Sequence, residues 1–265
     1  MCIRDRAHTR IRRYYARLAN GLTRYGLTNA VVENTPVWLP KPVEQHRVAG
    51  ILRAIDEAIA KTEALIAKHK AIKQGLLHDL LTRGLDENGE LRDPEKHPEQ
   101  FKDTPIGLVP KSWGIAPLGK FADVIVGGTP STSIPSYWGG EIPWMSSGDV
   151  HLRRISDVTG RITEKGLASS NAKLVDPPAV VIALAGQGKT RGTVAVIESR
   201  LCGNQSIAFL KPRDESLNPY FLFHNLDLRY EELRARSAGG GRAGLSKGIL
   251  ETLPIPVPEP TEQER

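Results

Sequence analysis

The chain has 265 residues, of which 40% are apolar and 25% are charged, and its formal net charge is +6 at pH 7. This length accommodates one or two ordinary hydrophobic cores. The only cysteines, Cys2 and Cys202, are too few for a disulfide framework, and neither has the paired spacing of a structural zinc site. No apolar run reaches the roughly 18 to 20 residues that span a bilayer, so a cytoplasmic protein is predicted.

The positive charge is concentrated outside the middle of the chain. Residues 1–47 carry a net charge of +6 and residues 105–258 carry +4, whereas residues 48–104 carry −2. An excess of Lys and Arg favours a polyanionic partner such as nucleic acid, because these side chains displace counterions from phosphates. Residues 1–6 show neither a helix cap nor a periodicity, and they are interpreted as a translation scar outside the fold.

One segment of the chain occurs twice. Residues 26–47 align without a gap with residues 244–265, and nine of the 22 aligned pairs are identical. A period this long indicates a duplicated domain with its connector, since solenoid repeats are about 20 to 50 residues long. The first copy continues into a helix at the point where the second copy stops. We therefore expect the end of one domain, a complete second domain and the start of a second helix.

A long helix is predicted after the proline-rich residues 40–42. Apolar residues recur there at spacings of three and four, and about 40 residues at 1.5 Å each give a rod of roughly 60 Å that ends at Gly84. His69 and Lys73 on its seam are interpreted as solvated or paired. So long a stripe favours a two-helix coiled coil, formed with a helix after Arg265 or with a second copy, over packing on its own domain. The apolar positions are Val48, Ile51, Leu52, Ile55, Ile59, Leu65, Ile66, Ile72, Leu76 and Leu80.

The remainder of the chain is predicted as a linker followed by a mixed domain. Residues 85–110 are polar, contain Asn88, Gly89 and several prolines, and are predicted to be the linker. From Trp113 onward, short apolar runs alternate with segments rich in Gly, Pro, Ser and Thr, which predicts an α+β fold with long polar loops. The predicted strands are 122–126, 179–184, 193–197 and 207–210, and the predicted short helices are 220–228 and 231–236.

Two segments resemble catalytic motifs but depart from them. Gly188, Lys189 and Thr190 match the end of a phosphate-binding P-loop, yet Ala183 stands where its first glycine is required and a predicted strand follows. Residues 218–221 are similar to the Asn-Pro-Pro-Tyr/Phe loop of adenine methyltransferases, but the third residue is Tyr220. They are interpreted as a turn into an amphipathic helix. No catalytic residue, metal site or cofactor is predicted.

Taken together, these features resemble the specificity subunit of a type I restriction-modification system. The pattern Pro-Xaa-Glu-Gln-Xaa-Arg at the entry to a long helix occurs twice, at residues 42–47 and 260–265. Further matching segments lie in the large domain, at residues 118–119, 127–131, 137–140, 142–144, 148–149, 162–167, 172–174 and 204–205.

The resemblance implies an organisation for the whole chain. Such subunits have two target-recognition domains, each followed by a conserved helix, and the two helices pack antiparallel as a spacer. The implied division is a scar at residues 1–6, the remnant of the first recognition domain at 7–40, the conserved long helix at 41–84, a linker at 85–110, the second recognition domain at 111–258, and the start of the second conserved helix at 259–265.

The resemblance also implies a function without catalysis. Each recognition domain would read double-stranded DNA in the major groove, where all four base pairs are distinguishable. The helices would bind methyltransferase subunits and, through them, the restriction and translocase subunit, which together methylate adenine and cleave DNA.

Loop chemistry selects the candidate DNA contacts of the large domain. We expect Arg191 or Arg242 to contact guanine in a bidentate manner and the lysines to hold phosphates. Trp113, Trp138 and Trp144 are interpreted as core or loop anchors. The candidate contacts are Ser131, Thr132, Ser133, Lys189, Thr190, Arg191, Arg242 and Lys247.

Two alternatives to this function stay open. One is a DNA adenine methyltransferase-like enzyme built around residues 218–221, which would retain S-adenosylmethionine. The other is a half-subunit that self-associates through its long helix to form a symmetric DNA reader.

Overall fold

The computed structural model describes residues 9–19, 26–37, 39–186, 188–236 and 244–265. Residues 1–6 and the predicted contact Arg242 lie outside this described part. The chain divides into two compact units, Met1–Lys68 and His69–Arg265. Within the described ranges, no helix is both long enough and apolar enough to cross a membrane.

Helices and short strands are mixed along the chain, which confirms the predicted α+β class. The α-helices are α1 Thr9–Leu18, α2 Asn29–Glu33, α3 Pro42–Thr82, α4 Glu164–Ala168, α5 Pro219–Leu228, α6 Tyr230–Arg236, α7 Lys247–Glu251 and α8 Pro260–Glu264. Short 3-10 helices lie at Pro98–Gln100, Leu118–Lys120, Pro135–Tyr137 and Ser147–Leu152. The strands are β1 Phe101–Thr104, β2 Gly107–Pro110, β3 Gly114–Pro117, β4 Ala122–Val126, β5 Trp138–Met145, β6 Arg154–Ile155, β7 Arg161–Ile162, β8 Ala179–Ala183, β9 Val194–Ile197, β10 Cys202–Gly203, β11 Ile207–Pro212 and β12 Pro254–Val257.

Helix α3 is the predicted long helix. It has 41 residues, which at 1.5 Å per residue corresponds to about 60 Å. It begins at Pro42. Proline suits this position because the first amide of a helix has no hydrogen-bond acceptor within the helix. It ends ahead of Gly84, whose φ of +63° is left-handed and whose amide donates to the carbonyl of Asp79 at 3.3 Å. Glycine takes this conformation without strain, so Gly84 terminates the helix as predicted.

The repeat seen in the sequence is also present in the structure. Helices α2 and α7 occupy equivalent positions of the two copies and have the same length of five residues. Each is capped by a hydroxyl, from Thr28 in the first copy and from Ser246 in the second, which accepts from the amide three residues further on. Equivalent residues thus make equivalent caps, which satisfies an otherwise unpaired amide at each helix start.

The glutamine of the repeated motif makes the same contact in both copies. Helix α3 begins at Pro42 and helix α8 begins at Pro260. The side-chain amide of Gln45 donates to the prolyl carbonyl five residues earlier at 2.7 Å, and that of Gln263 does the same at 2.7 Å. This glutamine therefore fixes the angle at which the chain enters a helix.

The start of α8 is bound to the turn that follows α3. The carboxylate of Glu262 accepts from the amide of Leu85 at 3.1 Å and from the guanidinium of Arg92 at 2.6 Å. Both charged side chains are largely buried, at 14% and 13% exposed. Arg265 donates to the carbonyl of Asp86 at 3.2 Å. Removing one member of such an ion pair would leave a buried charge without a partner.

The centre of the second unit is a five-stranded sheet in the order β4-β11-β8-β9-β6. Neighbouring strands are antiparallel except β6 and β9, which are parallel. The sequence predictions for β4, β8, β9 and β11, and for helices α5 and α6, are confirmed to within two residues at each end.

Both faces of this sheet are buried. Val180 and Ile182 of β8 belong to one apolar core, and Val181 and Ala183 belong to the other, because successive strand residues point to opposite faces. Apolar residues of α5, α6 and α7 complete the first core. Burial on both faces explains why β8 is a continuous apolar run rather than an alternating one.

Outside this sheet, the described residues form a three-stranded sheet in the order β10-β5-β7 and two separate pairs of strands. Strands β3 and β12, near the two ends of the predicted domain at 111–258, pair antiparallel. Strands β1 and β2 form a hairpin within residues 85–110. The segment predicted to be a linker therefore contains regular secondary structure at residues 101–110. Phe101 and Val109 are buried at 5% and 3% exposed. They occupy neighbouring register positions and so point to opposite faces, which gives each face of the hairpin a buried residue despite the polar composition of the segment.

Candidate nucleic-acid interface

Three loops leave the same end of the five-stranded sheet. Val126, the last residue of β4, pairs with Ala208, and Ala183, the last residue of β8, pairs with Ile207 at the start of β11. Strand β9 begins beside the end of β8. We call this end the loop face, and it consists of residues 127–133, 184–192 without residue 187, and 204–206.

Two glycines hold the first loop against its neighbours. The amide of Gly127 donates to the carbonyl of Ile207 at 3.2 Å, and the amide of Gly128 donates to the carbonyl of Gly203 at 2.8 Å. A Cβ atom at either glycine would overlap the backbone of an adjoining segment. The close approach of the backbones therefore requires residues without side chains.

Two tryptophans anchor the same loop, as predicted from the sequence. The indole of Trp138 donates to the carbonyl of Ser131 at 3.1 Å, and that of Trp144 donates to the carbonyl of Gly128 at 3.0 Å. The two rings pack edge to face with centroids 5.0 Å apart, a favourable aromatic geometry. Trp113 is buried in the core, at 1% exposed.

The first loop presents hydroxyl groups to solvent. Ser131, Thr132 and Ser133 are exposed, and the Oγ atoms of the two serines lie 2.8 Å apart. Beside them, the hydroxyl of Thr129 donates to the side chain of Gln205. Hydroxyl and amide groups both donate and accept, which suits base edges and phosphates alike. Gln205 was not predicted as a site residue, although it belongs to a segment that carries the resemblance.

Helix α6 holds the backbone of the second loop. The hydroxyl of Tyr230 donates to the carbonyl of Lys189 at 2.8 Å. The guanidinium of Arg234 donates to the carbonyls of Gly188 at 2.8 Å and Arg191 at 3.2 Å, and it lies 5.3 Å from the centre of the Tyr230 ring. These two anchors were not predicted. They are four residues apart and share one face of α6, but the predicted helix began at residue 231 and so excluded Tyr230.

The side chains of the second loop differ in exposure. Lys189 is exposed, whereas Thr190 and Arg191 are half-buried. The hydroxyl of Thr190 lies 3.2 Å from Nε2 of His151, a loop-face neighbour that the sequence did not indicate. Strand β9 follows the loop, as predicted, where a P-loop requires a helix.

Lys247 starts helix α7 close to the same end of the sheet. The amide of Leu245 donates at 2.9 Å to the carbonyl of Leu184, which begins the second loop. Lys247 is exposed, and its ammonium lies 3.6 Å from the carboxylate of Glu251. The structure thus brings Lys247 and residues 189–191 to one end of the sheet.

The methyltransferase-like segment is a helix cap. The side-chain oxygen of Asn218 accepts from the amides of Tyr220 at 2.8 Å and Phe221 at 3.4 Å at the start of α5. Phe223 is buried, Phe221 packs against the same core, and Tyr220 stays partly exposed. The predicted turn into an amphipathic helix is confirmed.

The remaining reactive side chain of the described part is Cys202. Burial raises the pKa of its thiol to about 11, so the thiol stays protonated at neutral pH and is a poor nucleophile. Across the described residues, no group of three or more His, Cys, Asp or Glu side chains is arranged to hold a metal ion.

Known proteins resemble the chain in sequence and in fold. The type I restriction enzyme MjaIX specificity subunit of Methanocaldococcus jannaschii is 32% identical over 171 residues, which are 63% of this chain and 39% of that protein. The HsdS subunit from Thermoanaerobacter tengcongensis has a TM-score of 0.51 at 23% identity, covering 96% of this chain and 57% of that one. The S subunit of a type I restriction-modification system from M. genitalium has a TM-score of 0.57 at 17% identity, covering 94% and 59%.

The chain spans less than two thirds of the length of each of these proteins. The two crystal structures share its fold. The family model described as the type I restriction modification DNA specificity domain matches residues 110–265, which is more than half of the chain and contains the whole loop face. The chain belongs to the family of type I restriction modification DNA specificity domains.

Proposed function

We propose that the chain recognises a specific sequence of double-stranded DNA for a type I restriction-modification system in the cytoplasm. The loop face would lie in the major groove, and the chain would contribute no catalysis of its own. The observation that carries this proposal is the convergence of exposed hydroxyl and cationic side chains on two loops whose backbones are held by Trp138, Trp144, Tyr230 and Arg234. Fixed backbones let side chains discriminate between bases at a low entropic cost.

The proposed contacts divide into reading and holding groups. Ser131, Thr132 and Ser133 would donate to or accept from base edges, and Arg191 would contact guanine through two hydrogen bonds. Lys189 and Lys247 would hold phosphates, which positions the domain without reading sequence. Thr190, paired with His151, and Arg242, which lies outside the described residues, complete the proposed set.

The experiment is selection from a randomised duplex pool, with the chain alone and with a matched methyltransferase subunit. Enrichment of one short motif is expected, and equal recovery of all sequences would contradict the proposal. We expect Arg191→Gln to cost about 1 to 3 kcal/mol on the selected motif and to relax selectivity at one position. We expect Lys189→Gln to weaken binding to all duplexes alike.

Lys120→Gln is the matched control for these variants. Lys120 is exposed and precedes β4, so it lies at the other end of the sheet from the loop face. The variant Lys120→Gln removes one positive charge, as Lys189→Gln does, but leaves the residues of the loop face unchanged. An equal loss of affinity in both variants would attribute binding to net charge rather than to the loop face.

We also propose that helix α3 binds other subunits. Its apolar stripe stays exposed, with Ile55 at 45% and Ile59 at 43%. A partner helix would cover it, either the second conserved helix of the family, begun at residues 259–265, or the helix of a second copy. Methyltransferase subunits would bind this paired rod, and the restriction subunit would join through them. This proposal keeps the division into residues 7–40, 41–84, 85–110 and 111–258 as recognition remnant, spacer, connector and recognition domain.

A further inference from the structure

A basic cleft lies beside the loop face within the second unit. It has a volume of about 460 Å³ and is formed by residues 70–77 of α3, by α5 and by the start of β6. Its apolar lining residues are Leu77, Val196 and Phe223, and its charged and polar lining residues are Lys70, Lys73, Gln74, Arg153, Arg154, Tyr220, His224 and Asp227.

Arg153 is held in the cleft in a strained conformation. Its φ of +70° is left-handed, which non-glycine residues rarely adopt. Its guanidinium forms two hydrogen bonds of 2.6 Å with the carboxylate of Asp227 and lies 4.8 Å from the centre of the Phe223 ring. Strained residues cluster at functional sites because the surrounding structure must hold them in place.

The cations of the cleft outnumber its anions. Arg153 is paired with Asp227, and Arg154 is paired with Glu198 at 2.6 Å. Lys70 and Lys73 lie one helical turn apart on the same side of α3, and neither forms an ion pair or a hydrogen bond within the described residues.

The cleft wall also includes the imidazole ring of His224. Nδ1 of His224 is buried and makes no hydrogen bond within the described part of the chain. Two ammonium groups therefore line a cavity whose one acidic lining residue, Asp227, is already paired with Arg153. Such a cavity favours an anion with several acceptor oxygens.

The cleft is close to the loop face along the sheet. Arg154 pairs with Val196, two residues beyond Val194, where β9 leaves the loop face. Two strand residues correspond to about 7 Å. His151 contacts the second loop, and Arg153 follows it by two residues. A polyanion bound across the loop face would therefore reach the cleft, since phosphates of one DNA strand recur every 3.4 Å or so along the helix axis.

We propose that the basic cleft binds backbone phosphates of the same DNA duplex, flanking the bases read by the loop face. This inference rests on the proposed function. In it, Lys70 and Lys73 neutralise the phosphates while Arg153, fixed by Asp227, shapes the wall. The spacer helix thereby becomes part of the DNA-binding surface and sets the register of the duplex on the recognition domain.

The test is the salt dependence of duplex binding by the full 265-residue chain and its Lys70→Gln/Lys73→Gln variant. Each lost phosphate contact reduces the slope of log affinity against log salt by about 0.9, so the variant should show a slope shallower by about 2 with the same preferred motif. Lys61→Gln/Lys68→Gln removes two exposed charges of α3 that do not line the cleft, and its slope should match the wild type.

Methylphosphonate linkages provide a second measurement that does not depend on variant folding. Neutral linkages flanking the selected motif should weaken binding of the wild type more than that of Lys70→Gln/Lys73→Gln. If Lys70→Gln/Lys73→Gln shows the same salt slope as the wild type, the inference is overturned. This holds also if that variant no longer binds a methyltransferase subunit. Equal losses in both lysine pairs would overturn it too.

These outcomes separate the two proposals. If selection enriches a motif and the cleft variant keeps the wild-type slope, the proposed function stands and the cleft inference fails. If no motif is enriched but the cleft variant alone shows the shallower slope, phosphate binding stands and sequence reading by the loop face fails.

Discussion

Gly84 has a left-handed backbone and no room for a side chain. Its φ is +63°, and a Cβ atom there would overlap the side chains of Glu262, Trp113 and Arg92. Gly89, five residues later, has a φ of +82° but nothing within 4 Å of the same position. The two glycines therefore separate the cost of backbone conformation from the cost of steric overlap.

We expect Gly89→Ala to lower the free energy of unfolding by about 1 kcal/mol, the cost of a left-handed alanine. Gly84→Ala should lower it by about 3 kcal/mol, because overpacking adds to the same backbone cost. Urea denaturation of the two variants measures the difference. If both variants lose the same free energy of unfolding, the turn around Gly84 can accommodate a methyl group without additional strain.

His224 links the stability of the second unit to pH. Burial lowers its pKa below the ordinary value of 6.5, and the cations of Lys73, Arg153 and Arg154 lower the pKa further, while Asp227 opposes them. The folded chain then binds fewer protons at this site than the unfolded chain does. The stability contributed by the neutral ring is thus present above pH 6.5 and lost as the pH falls below it.

The variant His224→Gln should lack the pH-dependent stability that the neutral imidazole of His224 contributes. We expect the wild type to lose more unfolding free energy than the variant between pH 7 and pH 5.5, as measured by urea denaturation at each pH. Identical pH dependence in the two proteins would show that the ring protonates in the folded chain as readily as in the unfolded one.

At the scale of single elements, α3 is distinguished by a long apolar stripe that stays exposed from Val48 to Leu76. Ile55 and Ile59 are nearly half exposed on a helix of 41 residues. An isolated apolar stripe of this length favours association, since burial stabilises by about 25 cal/mol for each Å² removed from water.

We expect the chain to associate as its concentration rises, through α3. Ile55→Gln/Ile59→Gln should remove association without unfolding the helix, because glutamine is a good helix former. Glu57→Gln/Lys61→Gln, on exposed polar positions of the same helix, should associate like the wild type. Sedimentation over a hundredfold concentration range decides between them, and a wild type that stays monomeric throughout would remove the self-association proposal.

Only helices and strands with a clear sequence pattern could be predicted. Helix α3 and strand β8 were predicted because each has a clear pattern, a long stripe of helical period in α3 and a fully apolar run in β8. The β1–β2 hairpin was missed because only Phe101, Val109 and Pro110 of its two strands are buried in a polar segment. Strand β6 has two residues and no pattern to detect.

For the whole molecule, the polar loops of the candidate site could be selected from the sequence, but their convergence on one end of the sheet could not. Residues 131–133 and 189–191 were selected for their polarity, and both fall on the loop face. Their convergence depends on strand register and on contacts between residues far apart in sequence, such as Thr129 with Gln205. Pairwise contacts of that kind leave no periodic trace in a single sequence.

The anchors were predicted unevenly for a related reason. Trp138 and Trp144 were interpreted as core or loop anchors rather than as residues that stack on bases. Arg234 was not, since its role depends on carbonyls of a loop more than 40 residues earlier. The basic cleft likewise joins α3 to α5 and β6, which no local pattern connects.

The way the two loops are anchored has a consequence for how the protein can evolve. Trp138, Trp144, Tyr230 and Arg234 all bind main-chain carbonyl oxygens, which every amino acid carries. The side chains at 131–133 and 189 are therefore uncoupled from the groups that hold their backbone. Under the proposed function, substitutions at 131–133 would alter which bases are contacted, and a substitution at 189 would alter phosphate binding, while the scaffold and its stability persist. New target preferences would then be accessible by single substitutions that leave the chain folded.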